Sequence, residues 1–230
     1  MIRWLWGWTR TIVQALVIWF VVTTFLVEPF RVWPTGSMRS TLLVNDFLAV
    51  NKLLYGAEVP LSGGRLPALR EPARGDIVVL RSVEDRSLKL VKRLIGLPGD
   101  TLAMHGGVLW RNGRQVAEPY ATTIDSARRE SAEMREKMRA WQVPHLAGPD
   151  PATYRPDVGE WGPLVVPRDS LFFLGDNRDS SYDSRYYGFV PRANVLGHPF
   201  LVYFSFDGDS WRPLPAVTAV RWERLFSLPH

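Results

Sequence analysis

Between Thr11 and Val27 the chain carries no formal charge and consists mainly of Val, Ile, Leu and Phe. At 1.5 Å per residue a helix of this run is about 25 Å long, the short end of what spans a bilayer. Trp4, Trp6 and Trp8 precede it and suit an interfacial belt, while Arg10 can snorkel to the headgroups. A cleavable targeting peptide would need small residues after the apolar run, and Leu26-Val27-Glu28-Pro29-Phe30 stands there instead. Arg3 and Arg10 ahead of the span favour an N-terminus inside and the remainder outside. Residues 1–28 therefore read as a single-pass anchor, with a transmembrane helix at about 11–27, and residues 29–230 as an extracytoplasmic domain.

That domain reads as mainly β. Asp46–Leu54 alternates weakly; Ile77-Val78-Val79-Leu80 is a β-branched run suited to a buried strand; Leu88–Ile95 is another. Pro98-Gly99 favours a type II turn, and Gly106-Gly107 and Asn112-Gly113 flank Val108–Arg111 as in a hairpin. Strand patterns resume at Leu164–Val166, Leu171–Leu174 and Phe200–Phe206, and Val217–Leu228 could close the chain as a short helix. Residues 122–163 read as a small helical and loop insertion within a variable segment at about 101–170. Its helix formers lie at Asp125–Trp141, with Glu133 and Lys137 at helical spacing, and a proline-rich loop follows. With 46% hydrophobic and 22% charged residues the chain can build a core, and without cysteine it has neither disulfides nor thiolate chemistry. The net charge of +5 comes without a basic run interleaved with aromatics, so a membrane surface accounts for it better than nucleic acid.

The first candidate for chemistry is Ser37, in Pro34-Thr35-Gly36-Ser37-Met38 just beyond the apolar run. The preceding glycine lets backbone approach a ligand closely, although most Gly-Ser pairs are ordinary turns. A nucleophilic serine needs a base, and the four histidines lie beside turns, in a proline-rich loop or at the terminus. Lysine is the other option, provided that burial lowers its ordinary value of about 10.4 by some three units, roughly 4 kcal/mol. Lys92 lies between Leu90, Val91, Leu94 and Ile95. The pattern alone leaves open whether its amine is dry or points outward from a strand with one wet face.

In order along the chain come Glu28-Pro29-Phe30, Pro34–Met38, Arg74-Gly75-Asp76-Ile77-Val78-Val79, Lys92-Arg93 with Gly96-Leu97-Pro98-Gly99-Asp100, and Gly175–Arg185. With these blocks the chain resembles bacterial signal peptidase I, the membrane-anchored Ser/Lys endopeptidases that remove signal peptides from exported preproteins. The resemblance implies Ser37 as nucleophile and Lys92 as general base. It places Thr35 beside the Ser37 N–H in an oxyanion hole, where such a donor is worth about 3 kcal/mol. It also implies that Ser181 hydrogen-bonds and orients the lysine amine, and that Asp183, Arg93 and Arg185 brace the site through ion pairs. A carboxylate beside the lysine would raise its pKa, so Asp183 is expected to pair with arginine instead. Phe30, Met38, Leu42 and Val91 match residues lining pockets for small side chains before the cut.

The acidic block fails as a calcium loop, because an EF-hand frame from Asp176 puts Ser181 where glycine belongs and Tyr187 where glutamate belongs. There is no glycine-rich phosphate loop with its lysine. No metal and no cofactor is expected. Two departures from the family pattern, Ser40 for a common proline and Trp33 for a small aliphatic residue, bear on specificity. The resemblance implies signal peptides of preproteins as substrate, and the bilayer and secretion translocon as partners. It implies residence in the bacterial cytoplasmic membrane, with the catalytic domain outside. Two alternatives stay open: a specialised maturation peptidase for a conjugation or pilus substrate, and a membrane-tethered β module that binds peptide without cutting it.

Overall fold

The computed structural model describes residues 2–33, 36–60, 62–122, 130–148 and 150–229. Helix α1 (Ile2–Val21) ends in one π-helical turn, Val22–Leu26, and the chain passes directly into strand β1 (Val27–Arg31). The helix thus begins earlier and stops sooner than the uncharged run suggests. Thr23 Oγ1 donates back to the Trp19 carbonyl at 2.8 Å, a bond that loosens a helix end. The Lys52 N–H then takes the Leu26 carbonyl at 3.0 Å and draws the chain onto the sheet. Arg3, Arg10 and Gln14 lie within α1, and among the described residues no helix is long and apolar enough to cross a membrane.

Strands β2 (Asp46–Asn51), β3 (Ile77–Arg81) and β4 (Lys89–Gly96) follow. Then come β5 (Thr101–His105), β6 (Val108–Arg111), β7 (Arg114–Gln115) and helix α2 (Ala132–Gln142). The chain continues through β8 (Trp161–Val165), β9 (Ser170–Leu174), the single turn α3 (Ser184–Tyr187), β10 (Val190–Pro191) and β11 (Val195–Ser205). A last turn, α4, spans Pro215–Thr218. The main sheet has the order β1-β2-β11-β3-β4-β9-β10, and a second has β7-β6-β5-β8. Every pairing is antiparallel.

The mainly β expectation agrees with this architecture, and β3 shows why the main sheet holds. Ile77 and Val79 pack with Val91, Met38 and Leu42 on one face, while Val78 and Leu80 pack with Leu94 and Phe173 on the other. Alternation with a period of two buries the strand on both faces, and each such side chain contributes about 1.5–3 kcal/mol. The turn chemistry follows the sequence: Gly99 has φ +84° after Pro98, and Asn112 and Gly113 have φ +53° and +74°.

Several boundaries differ. The strand expected at 46–54 stops at Asn51, where the Asn51 side chain accepts from Leu54 N–H and a 3₁₀ turn Leu53–Tyr55 begins. Residues 101–170 supply all of the second sheet as well as α2, so the segment is a strand layer carrying its helical and loop part. Their strand side chains Leu102, Met104 and Leu164 bury against Trp161 and Phe172, and that packing requires a layer. In α2, Lys137 does not rest on Glu133 but reaches Glu84 at 2.7 Å and the Tyr182 hydroxyl. The closing segment forms only α4 and the 3₁₀ turn Trp222–Arg224, since the chain pairs along β11 through Phe226 N–H to Val202 O at 2.8 Å.

Candidate functional site

Lys92 and Arg93 are neighbours on β4, so their side chains leave the strand in opposite directions. Lys92 is 3% exposed, and its Nζ lies 2.6 Å from Ser37 Oγ, a hydroxyl exposed to the same small extent. Ser37 opens a tight turn in which Thr41 N–H donates to Met38 O at 2.8 Å and Leu42 N–H to the same carbonyl at 2.6 Å. Met38 and Leu42 are fully buried in the cluster that contains Val91, with Phe30 packed against it, so the turn is fixed from below by apolar packing.

From the other side the turn is held by the acidic block. Asn177 N–H donates to Ser37 O at 2.9 Å, and Asn177 Nδ2 to Gly36 O at 3.0 Å. A methyl group on Gly175 would stand 2.1 Å from Ser181 Oγ and 2.5 Å from Ser37 O, so the backbones approach closely only because that residue has no side chain. Gly175→Ala is expected to cost about 1–3 kcal/mol through overpacking and to lower turnover up to about a hundredfold by displacing Ser37. Thermal melting and single-turnover cleavage check this; a fully active variant would show that the close approach is dispensable.

Burial pushes the Lys92 amine down to about 8; Asp183 opposes that shift and Arg185 reinforces it. Asp183 itself is fully buried and accepts from Arg185 Nε at 2.9 Å, from Arg185 Nη2 at 2.9 Å and from Gly175 N–H at 3.0 Å. Burial alone would raise the Asp183 carboxyl, but these partners hold it below its ordinary range. Arg93 takes a different carboxylate, with Nε and Nη2 on the two oxygens of Asp176 at 2.8 and 2.7 Å. The two buried carboxylates are thus each matched by an arginine, and neither is hydrogen-bonded to the lysine.

The Ser181 hydroxyl, 5% exposed, has no hydrogen-bond partner among the described residues, so the bond expected from it to the Lys92 amine is not formed here. Thr35 lies outside the described residues. Trp33 is 61% exposed, with the Arg31 guanidinium 4.8 Å above its ring, and Ser40 is exposed. His105 contacts Glu160, His145 the Trp141 carbonyl and His198 the Ile77 carbonyl. Among the described residues, no group of His, Asp and Glu side chains could hold a metal ion.

Sequence reasoning gave no role to Thr41, Asp176 or Asn177. Thr41 Oγ1 donates to Asp176 Oδ2 at 2.6 Å, which ties the end of the Ser37 turn to the Arg93 ion pair. Its place four residues after Ser37, one helical turn on, was the available signal.

The family described as "Signal peptidase, peptidase S26" matches residues 5–204. The chain belongs to this family. It is 35% identical over 224 residues to signal peptidase I of Pseudomonas fluorescens, covering 92% of this chain and 76% of that protein. It is 34% identical over 246 residues to signal peptidase I of Rickettsia massiliae, covering 96% and 91%. A crystal structure of a signal peptidase I from Enterococcus faecalis V583 is 30% identical, with a TM-score of 0.38 over 57% of this chain and 98% of that one. Membership in peptidase S26 makes the chain a serine endopeptidase and removes the alternative of a β module that binds without cutting.

Proposed function

We propose that this S26 peptidase cleaves N-terminal signal peptides from exported preproteins, after small residues, with Ser37 as nucleophile and Lys92 as general base. The observation that carries the reading is the 2.6 Å contact between a buried amine, pushed down to about 8, and a buried hydroxyl. The neutral amine accepts the Ser37 proton as Oγ attacks the scissile carbonyl carbon. The resulting oxyanion is met by the Ser37 backbone N–H and, as the family resemblance implies, the Thr35 hydroxyl. The protonated lysine then gives its proton to the departing amine of the mature chain, leaving an acyl-enzyme on Ser37. Water enters, loses a proton to Lys92 and attacks the ester; Ser37 departs with that proton. Phe30, Met38, Leu42 and Val91 pack in one apolar cluster, and the family resemblance makes this cluster the floor on which small side chains before the cut would sit. Ser181 lies beside Gly175, and the family resemblance gives it the role of orienting the lysine amine.

Membrane residence belongs to the same proposal. Its support is the uncharged run Thr11–Val27 and the exposure of Ile12, Val13, Leu16, Ile18, Trp19 and Phe20 along α1. The bilayer and the translocon would then be the partners, in a bacterial cytoplasmic membrane with the catalytic domain outside.

The pH profile tests the assignment of the base. With Lys92 lowered to about 8, kcat/KM is expected to climb about tenfold per pH unit below that value and to level off above it. Cleavage of a preprotein by the detergent-solubilised full chain across pH 5.5–10 reads this. A midpoint near 6.5, where histidine titrates, would remove Lys92 from the role.

A further inference from the structure

We infer that Glu118, Tyr120 and Thr122 form a strap across the back of the site, and that Tyr120 is a positioning residue for Ser37. The inference rests on the Ser37–Lys92 reading and assigns work to residues outside every motif that carries that reading. After β7 the chain leaves the second sheet and crosses to the turn at Gly175–Arg178. Tyr120 lays its ring 3.8 Å from the Arg93 guanidinium carbon. This closes the face of the Arg93–Asp176 ion pair with a cation–π contact, which strengthens when desolvated.

The strap is anchored on both sides of that ring. Tyr120 OH donates to Glu118 Oε1 at 3.1 Å, and Glu118 accepts Arg178 Nη1 and Nη2 at 2.6 and 2.7 Å. Arg178 is 2% exposed and its Nε donates to Gly175 O at 3.1 Å. Thr122 N–H donates to Asp176 O at 2.8 Å, and Arg178 N–H to Thr122 Oγ1 at 2.9 Å. Asp176 and Arg178 are therefore gripped by the strap directly, and Gly175 through Arg178. Between them, Asp176 binds Thr41 and Asn177 binds Ser37 O and Gly36 O. Three links connect Tyr120 to the turn that bears Ser37: the ring to Arg93, Arg93 to Asp176, and Asp176 to Thr41.

The strap places the reacting hydroxyl rather than binding substrate, so its loss is expected in kcat and not in KM. A misplacement on the ångström scale can cost about a hundredfold. Tyr120→Leu is expected to lower kcat by about ten- to a hundredfold with KM within twofold. Tyr120→Phe keeps the ring over Arg93 and is expected to restore most of that loss. Glu118→Gln, which weakens the hold on Arg178, is expected to fall between the two. A solvated, loosened Arg93–Asp176 pair also leaves more of the Asp176 charge acting on Lys92, so the midpoint of the kcat/KM profile is expected to move to higher pH in Tyr120→Leu. A purely structural role would move none of this once rates are divided by the fraction of enzyme that an active-site acylating reagent titrates. Unchanged kcat and midpoint per titrated site in Tyr120→Leu overturns the inference, and so does a Tyr120→Phe variant as slow as Tyr120→Leu. Ser37→Ala, measured alongside, separates the two claims: if it still turns over, the Ser37–Lys92 reading has failed rather than the strap.

Discussion

Lys92→Met and Ser37→Ala are each expected to lower preprotein cleavage by about 10⁴- to 10⁶-fold, since members of one reacting unit cost nearly as much singly as together. The two variants should move stability in opposite directions. A lysine brought from 10.5 to about 8 by burial costs the fold about 3 kcal/mol at neutral pH. The sign follows from proton binding: between about 8 and 10.5 the unfolded chain holds more protons at this site, so stability rises with pH through that window. Below it the penalty is fully present. Methionine nearly matches the lysine in length and carries no charge, so Lys92→Met is expected to melt at a higher temperature than the parent at pH 7. Ser37→Ala instead strips the amine of its 2.6 Å partner and is expected to lose about 1–3 kcal/mol. Thermal melts of both variants at pH 7, with cleavage assays, check the pair of signs. Retained turnover in either variant would end the assignment, and a destabilised Lys92→Met would mean that the amine is well solvated or ion-paired.

The contrast between what the sequence showed and what it hid is a contrast between local and long-range causes. Lys92 was conspicuous because its strand neighbours are apolar, and burial on both faces of β3 could be read from four β-branched or aliphatic residues in a row. Pro98-Gly99 and Asn112-Gly113 announced their turns through backbone preference alone. Strand β1 was hidden because Val27-Glu28-Pro29-Phe30-Arg31 carries two charges and a proline in five residues; only its register against β2, with Phe30 opposite Leu48, makes it a strand. β5 was hidden for a related reason, since Thr101–His105 becomes a strand by pairing with β6 and β8 on its two sides. Lys137 had a helical neighbour of opposite charge in Glu133, yet it serves Glu84, 53 residues away in sequence. A surface i,i+4 pair is worth only about 0.3–0.5 kcal/mol, and any partner brought up by the fold can displace it. The strap was illegible for the same reason: Glu118 and Tyr120 acquire meaning from Arg178 and Arg93, residues that only the folded chain brings near them.

Arg185→Met is expected both to weaken the fold by about 3–5 kcal/mol, because it leaves a buried carboxylate without its cation, and to move the activity profile upward in pH. Arg185 acts on Lys92 in two ways that point in one direction. Its own charge disfavours a second cation nearby, and its contacts with Asp183, both at 2.9 Å, absorb a carboxylate that would otherwise draw a proton onto the amine. Removing it cancels the first effect and exposes the second, so the midpoint of kcat/KM should rise above the parent value of about 8 and less of the lysine should be a free base at neutral pH. The acid side of the stability curve should change as well. In the parent, the lowered Asp183 carboxyl stabilises the fold above the unfolded carboxylate range, and that contribution is lost as pH falls through the folded value. Without Arg185 this acid-labile contribution shrinks. A loss of that size is a large part of the 5–15 kcal/mol that an ordinary domain has in total, so Arg185→Lys, which keeps the charge but not the paired contacts, is the companion variant and should shift the midpoint less. A midpoint that stays put or falls in both variants would mean that Asp183 does not sense Lys92, and that the dry environment of the amine alone sets its basicity.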